Sequence, residues 1–520
     1  MREVGLFTAL SLGLCHTIGG GINTFAIQAS FLNPGGSVPL GYILGGIPVL
    51  FTAIAYTMMA LSMPRTGGDY IYISRTISPL LGFITSWGFW FTEIISLGVI
   101  AWLDVQFWGT AFQIMGSAFA NQGVLDMGTI LVTDKVVGLA VAMGIVILST
   151  VVTLLGTKVY SWIINIGLII GLLGSVAMMI VMIGRMGSDP AALWNETWEP
   201  GSYEGIQMLA AQTTTPDLPG GWVEPSFSMH NTMAIMVPAA WAYIGFNSAS
   251  YIGGEVKNPS KSMIYAIVIG TIFIIIYYAA ITALVYGAYG DFIPQYYHVF
   301  ENNPEGLAAL ISHPPAPILP AFALSLVPGM VILQIIICVT GAIWLLNDVP
   351  AFFVVCSRLV FSWSFDRFFP ERFANVNERF HSPHWAILLT CMGGLGGAVL
   401  SFHSQWFAMV DTTMLFLFSV MFGCMAAAVM PYMRRDLYER GGRYEVFGIP
   451  VMTIAGLAGA MLNFFVFLFA AHGVVEGGLT SVWTQAIWIF FGLLIFVAFY
   501  AYNTKRGVDV KSLYAEIPPA

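Results

Sequence analysis

Runs of apolar residues close to the roughly 20 that a helix needs to cross the hydrocarbon core of a bilayer recur from one end of the chain to the other. Twelve can be placed, numbered here as segments 1 to 12: residues 5–31, 39–62, 80–110, 135–156, 159–183, 232–254, 263–289, 317–363, 384–402, 408–432, 449–470 and 482–503. Polar stretches separate them, the longest being 185–231, with 290–316 and 433–448 next. This pattern predicts an all-α polytopic membrane protein without a soluble domain of any size. Segments 1 and 6 depart from it in the same way. The first is interrupted by Cys15-His16-Thr17-Ile18-Gly19-Gly20-Gly21-Ile22-Asn23, the sixth by Pro238-Ala239-Ala240-Trp241-Ala242-Tyr243-Ile244-Gly245-Phe246-Asn247-Ser248. A glycine in a helix interior costs about 1 kcal/mol relative to alanine, and backbone that leaves the helix inside a bilayer must be buried in protein or line a cavity. Paired interrupted helices in the two halves of a membrane chain point to a transporter's binding site.

Composition strengthens the membrane assignment: 58% of the 520 residues are hydrophobic and only 9% charged, against roughly 25% charged in soluble domains. Charge also sets the orientation. Of 19 Lys and Arg, only Lys135 and Arg185 fall in loops that twelve crossings place on the same side as 185–231. By the positive-inside rule, both termini are expected in the cytoplasm and the 185–231 loop outside the cell membrane. The first apolar run is too long for a signal-peptide core and reads as a span. The five cysteines, Cys15, Cys338, Cys356, Cys391 and Cys424, fall in or near segments and have no metal-ligand spacing, so they read as packing residues.

Three polar signatures lie at the basic ends: Met63-Pro64-Arg65-Thr66-Gly67-Gly68-Asp69-Tyr70-Ile71-Tyr72-Ile73-Ser74-Arg75 after segment 2, Gly254-Glu255-Val256-Lys257-Asn258-Pro259-Ser260-Lys261 after segment 6, and Ser357-Arg358-Leu359-Val360-Phe361-Ser362-Trp363 running on to Asp366-Arg367-Phe368-Phe369-Pro370 at the end of segment 8. With Ile18 to Ile22 and Trp241 to Asn247, these resemble the permeases of the amino acid-polyamine-organocation (APC) superfamily, over the first ten segments. The resemblance implies the leucine-transporter (LeuT) fold, a 5+5 inverted repeat with two peripheral helices. Residues 1–184 would form the first repeat, 185–231 an extracellular loop, 232–432 the second repeat, and 433–520 the peripheral segments 11 and 12 with a cytoplasmic C-terminus.

In such a fold the half-helix ends at the two breaks suit a zwitterion. The substrate carboxylate is expected on backbone N–H groups around Gly20 to Ile22 and the ammonium on carbonyls around Ala240, Trp241 and Ile244. The candidate substrate set is Ile18, Gly19, Gly20, Gly21, Ile22, Glu93, Ala240, Trp241, Ile244, Phe246 and Asn247, with Trp241 and Phe246 resembling gate aromatics. Segment 6 carries Asn247 where relatives often have an acid, and segment 1 carries Asn23 where they often have Phe. The missing countercharge favours a neutral substrate.

Ionisable groups inside apolar segments are costly and functional by default. Glu93, mid-way along segment 3, is a proton carrier or amine contact, or else a hydrogen-bonded packing residue. His16, one turn before the glycines, has an unperturbed pKa near neutrality that keeps proton coupling open. In Asn347-Asp348-Val349-Pro350, the proline leaves the Leu346 carbonyl without its helical partner beside an acid and an amide. The coupling set is therefore Cys15, His16, Ile18, Asn347, Asp348 and Glu93. Sodium at Asp348 and Asn347 is the first choice, since Asp348 falls where sodium-coupled relatives place segment 8 ligands. A proton on Asp348, Glu93 or His16 is the second, although Gly171 stands where some proton-coupled relatives carry a lysine. The G-x-x-x-G pairs Gly41/Gly45 and Gly167/Gly171 predict close helix packing, and Asp104, Asp411 and Lys135 are expected to snorkel to the interface.

The reading is a secondary active transporter of amino acids or related amines, working by alternating access as a cation-coupled symporter. An exchanger, a proton symporter or a non-transporting sensor are the alternatives. No H-E-x-x-H or G-x-S-x-G pattern suggests an enzyme. No cofactor beyond sodium and no nucleic-acid partner is expected.

Overall fold

The computed structural model describes residues 3–216, 218–404, 412–510 and 514. Ten of its helices are long and apolar enough to cross a membrane: Val38–Ser62, Pro79–Ala118, Lys135–Leu154, Thr157–Gly184, Pro259–Tyr289, Val331–Phe365, His384–His403, Thr412–Met433, Val451–Glu476 and Leu479–Lys505. They correspond to segments 2 to 5 and 7 to 12. Segments 1 and 6 are absent from that set because each is a chain of short pieces. Segment 1 runs as a helix Leu6–Thr17, a bend, a π-turn Gly21–Phe25 and a helix Ala26–Leu32. Segment 6 runs as Met229–Ala234, Met236–Ala242, a turn with Gly245 at φ +103° and a 3₁₀ turn Ser248–Tyr251.

Segment 8 is shorter than the apolar run 317–363 predicts. Leu319–Ser325 is a separate helix, and the long helix starts only at Val331. Pro328 lacks the N–H that a continuous helix needs, and Gly329 adopts φ +71°. Segment 3 lies at the centre: 94% of its apolar window is buried, against 17% for segment 12. That central position corrects the expectation for Asp104. Its side chain cannot snorkel, because it is fully buried in segment 3. Lys135 is exposed, and Asp411 lies outside the described residues.

Glycines set how closely the helices approach. A Cβ built on Gly41 would stand 2.5 Å from Ile235, and one on Gly45 2.9 Å from Ala239, so both abut segment 6. Gly167, Gly171 and Gly174 of segment 5 abut Asn347, Trp344 and Thr340 of segment 8 at 2.3, 2.5 and 1.8 Å on the same measure. Small residues at this spacing let helix backbones come close where lipid supplies no hydrophobic drive.

The three polar signatures converge at the basic end. Arg75 pairs with Asp366 through two contacts of 2.5 and 2.8 Å, Arg358 pairs with Glu255 through two of 3.0 and 3.1 Å, and the Ser362 hydroxyl donates to the Thr66 carbonyl at 2.9 Å. A vestibule of about 470 Å³ opens beside them, lined by Glu3, Arg65, Thr157, Glu255, Arg358 and His381 among others. At the other end the 185–231 and 290–316 loops pack together. Trp194 is buried against Phe292 and Tyr296, with ring centroids 4.9 and 5.2 Å apart, and His298 Nε2 lies 2.9 Å from the Thr213 carbonyl.

Asp69, in the loop helix Gly68–Thr76, accepts hydrogen bonds from the Tyr251 hydroxyl (2.9 Å), the Ser419 hydroxyl (2.5 Å) and the Tyr70 N–H (3.0 Å). It thereby ties the loop to segments 6 and 10. Burial pushes its carboxyl up to about 6, against the pull of those three donors. A folded pKa above the unfolded value of about 4 makes this term stabilising below the unfolded pKa and lost as pH rises through about 6. On acidification from pH 7.5 to 5, the Tm of the wild type should therefore rise relative to that of Asp69→Asn, which carries no ionisable group there. Parallel Tm curves for the two proteins would show that Asp69 does not titrate in this window.

Candidate functional site

The two breaks meet. The helix Leu6–Thr17 ends in a bend at Ile18 to Gly20, and the turn of segment 6 crosses it so tightly that a Cβ on Gly21 would lie 2.3 Å from Ala242 Cα. A Cβ on Gly20 would meet Ile100 and Leu103 of segment 3 at 2.8 Å, and one on Gly245 would meet the His16 carbonyl oxygen at 2.4 Å. Glycine is required at these crossings because backbone, not a flexible side-chain tip, stands opposite at Gly21 and Gly245.

The freed carbonyls are largely taken by tyrosines that the sequence reading missed. The Tyr278 hydroxyl of segment 7 lies 2.5 Å from the Thr17 carbonyl and 2.9 Å from that of Ala242, and the Tyr42 hydroxyl of segment 2 donates to the Gly21 carbonyl at 2.8 Å. Their only sequence signal is a hydroxyl placed deep in an otherwise apolar run. The Asn23 amide donates to Gly19 O at 2.9 Å, and the Trp241 carbonyl accepts the Ile244 N–H at 3.0 Å.

A small enclosed cavity lies between the breaks, with about 10 Å³ open to the centre of a water-sized sphere, room for one water at most. His16, Gly21, Trp241, Ile244 and Asp348 line it together with Thr17, Ser96, Ile100, Ala242 and Phe352, five residues that the sequence did not single out. The other candidates are all buried but do not line it. Ile18 closes the first half-helix, its N–H donating to the Leu14 carbonyl. Gly19, Gly20 and Ile22 pack around the bend, and Ala240 belongs to the half-helix before the sixth break. Asn247 is buried with neither amide atom hydrogen-bonded. Phe246 turns to Tyr56, with ring centroids 6.5 Å apart. Trp241 donates to Ser96 Oγ at 3.2 Å and meets Phe25 edge-on at 4.6 Å.

Beside the cavity, three distant parts of the chain come together. His16 Nδ1 lies 2.5 Å from Ser248 Oγ, and His16 Nε2 lies 3.1 Å from Glu93 Oε2, an ion-pair distance although off the line of a hydrogen bond. The imidazole also meets the Phe352 ring edge-on at 4.2 Å. One side chain of segment 1 thus joins the sixth break to segment 3, with both partners of the pair fully buried.

Asn347 and Asp348 diverge. Neighbouring residues on a helix point about 100° apart, and each faces a different segment. The Asn347 amide donates to the Ile164 carbonyl (3.1 Å) and to Cys15 Sγ (3.1 Å), tying segment 8 to segments 5 and 1. Asp348 reaches the first break, its Oδ2 only 2.1 Å from where a Gly19 Cβ would be. Only Asp348 lines the cavity. The Oδ1 atoms of Asn347 and Asp348 are both buried without a hydrogen-bond partner. Among the described residues, no group of three or more His, Cys, Asp or Glu has metal-binding spacing.

The amino acid permease family matches residues 4–501. The chain belongs to it. Among relatives of this permease, the methylthioribose transporter of Bacillus subtilis is 24% identical over 510 residues, covering 98% of this chain and 94% of that one. The branched-chain amino acid permease of the same organism is 22% identical over 515 residues, covering 97% and 94%. The cadaverine/lysine antiporter of Escherichia coli K12 is 25% identical over 288 residues, covering 55% and 54%. Membership confirms the APC resemblance drawn from the polar signatures, and the relatives are named as transporters, not enzymes. In this permease the signatures themselves build the basic end, while the candidate site lies at the glycine break.

Proposed function

We propose that this permease is a secondary active transporter of a small amino acid or related amine, working by alternating access around the cavity between its two breaks. The observation that carries the reading is the meeting of the two interrupted segments at one buried, constricted, polar-lined point. The Arg358–Glu255 pair lines a vestibule at the basic end. In this reading the broken segments 1 and 6 complete twelve spans, segments 1–5 and 6–10 are inverted repeats, and segments 11 and 12 are peripheral. The termini and the vestibule face the cytoplasm.

Coupling by a proton at the His16–Glu93 pair is favoured over sodium. The pair bridges both breaks to segment 3, so any movement of segments 1 and 6 against segment 3 makes or breaks it. For sodium, Asn347 holds segments 1 and 5 through its amide nitrogen, and of the two candidate ligands only Asp348 lines the cavity. The relatives' names span a thio-sugar, branched-chain amino acids and a diamine, and so leave the substrate to experiment. Uptake of a radiolabelled amino acid and amine panel into proteoliposomes, under an imposed pH gradient and separately a sodium gradient, tests this. Accumulation driven by an alkaline interior is the expected result. Binding without uptake would indicate a sensor, and sodium dependence without a pH effect would return the coupling to Asp348.

The orientation has its own test. Gln207 is exposed in the 185–231 loop, and a cysteine there should react in intact cells with a reagent that cannot cross the membrane. Labelling only after permeabilisation would invert the topology.

A further inference from the structure

We infer that Asp348 binds the ammonium group of the transported molecule, so that the site selects amines whether or not they carry a carboxylate. This rests on the transport reading and goes beyond it in naming the substrate class. Two titratable side chains, His16 and Asp348, line the cavity, and Glu93 stands beside it. His16 and Glu93 face each other at 3.1 Å, which leaves Asp348 as the acid without a basic partner. The carboxylate is 2% exposed, its Oδ1 has no hydrogen-bond partner, and no cation lies within ion-pair range of it among the described residues. A buried charge in that condition is costly until a partner arrives.

The surroundings specify the partner. Gly19 has no side chain, and a Cβ there would collide with Asp348 Oδ2, so the glycine is what lets the carboxylate reach the first break. Trp241 and Phe352 line the cavity with aromatic rings, and Ile100 and Ile244 with aliphatic side chains. That combination suits a small organic ammonium, with the charge met by the acid and the apolar body by the rings and aliphatic walls. Of the carbonyls expected to hold an ammonium, that of Trp241 already accepts the Ile244 N–H, and the nearby Thr17 and Ala242 carbonyls share the Tyr278 hydroxyl. The countercharge that segment 6 lacks therefore comes from segment 8, which removes the reason for favouring a neutral substrate.

Two matched trios test the inference on the full-length protein in lipid nanodiscs by calorimetric titration: leucine, isoamylamine and isocaproate; alanine, ethylamine and propionate. In each trio the first has both groups, the second only the amine and the third only the carboxylate. At least one amine should bind and compete with its amino acid, and neither acid should bind. Asp348→Asn, which removes a buried charge while keeping the shape, should weaken the amine at least about tenfold, the scale of a lost charged hydrogen bond. Gly19→Ala, which displaces the carboxylate without neutralising it, should weaken the same ligand in the same direction. Binding of the acids on a par with the amines, unchanged amine affinity in Asp348→Asn, or no binding by any of the six would overturn the inference. Amino acids that are taken up but not displaced by their amines would overturn it too, while leaving the transport reading intact.

Discussion

Gly21→Leu is expected to reduce substrate binding and uptake to background while the protein still reaches the membrane. The reason is steric and local. A Cβ at position 21 would lie 2.3 Å from Ala242 Cα and 2.5 Å from Ala242 Cβ, far inside van der Waals contact. The obstacle is the backbone of segment 6, which cannot rotate aside as a side chain can. Any side chain here must push the two breaks apart at the point where they enclose the cavity, and the larger leucine would also fill it. Even Gly21→Ala should be severely impaired, since the first carbon already collides. Gly144→Leu is the matched control, because nothing lies within 4 Å of a Cβ at that position, in the middle of segment 4. Normal expression of both variants, with binding lost only for Gly21→Leu, is the predicted pair. Undiminished affinity in Gly21→Leu would move the site away from the breaks.

Much of this architecture was legible because hydropathy and glycine placement are local signals. Most ends of the ten continuous helices fall within a few residues of the apolar runs. The longest mismatches arise where a local signal was outvoted by hydropathy, as at Pro328-Gly329, or where the helix outlasts its apolar run, as segment 3 does to Ala118. The breaks were legible because three glycines have no other good reason to sit inside a span. What the sequence could not show is pairing. Nothing local says that His16 meets Glu93, or that Asp348 faces Gly19 while its neighbour Asn347 faces Gly167. Those contacts are set by the rotation of segments 1, 3, 5 and 8 about their axes, and a fully apolar helix has no polar face from which that rotation can be read. The same blindness sent Asp104 to the interface on paper, when segment 3 carries it through the centre. It also hid Tyr42 and Tyr278, whose hydroxyls serve carbonyls on other segments.

The pairing of His16 with Glu93 leads to the second large expected effect. Glu93→Gln keeps the shape of the side chain but cannot take up or release a proton, so accumulation driven by a pH gradient should vanish. Exchange of labelled for unlabelled substrate across the membrane should persist, because it needs the cavity and the moving segments but no net proton transfer. The split between the two assays separates a coupling role from a structural one. A purely structural pair would lower both together, since removing one member of a buried ion pair typically costs about 3–5 kcal/mol when the other stays charged. Here the remaining His16 keeps its contact with Ser248 Oγ at 2.5 Å, which limits that cost. His16→Gln should show the same split from the other side of the pair. If Glu93→Gln instead accumulates substrate against a gradient as the wild type does, the proton is carried elsewhere, and Asp104, fully buried in segment 3, is the next group to replace.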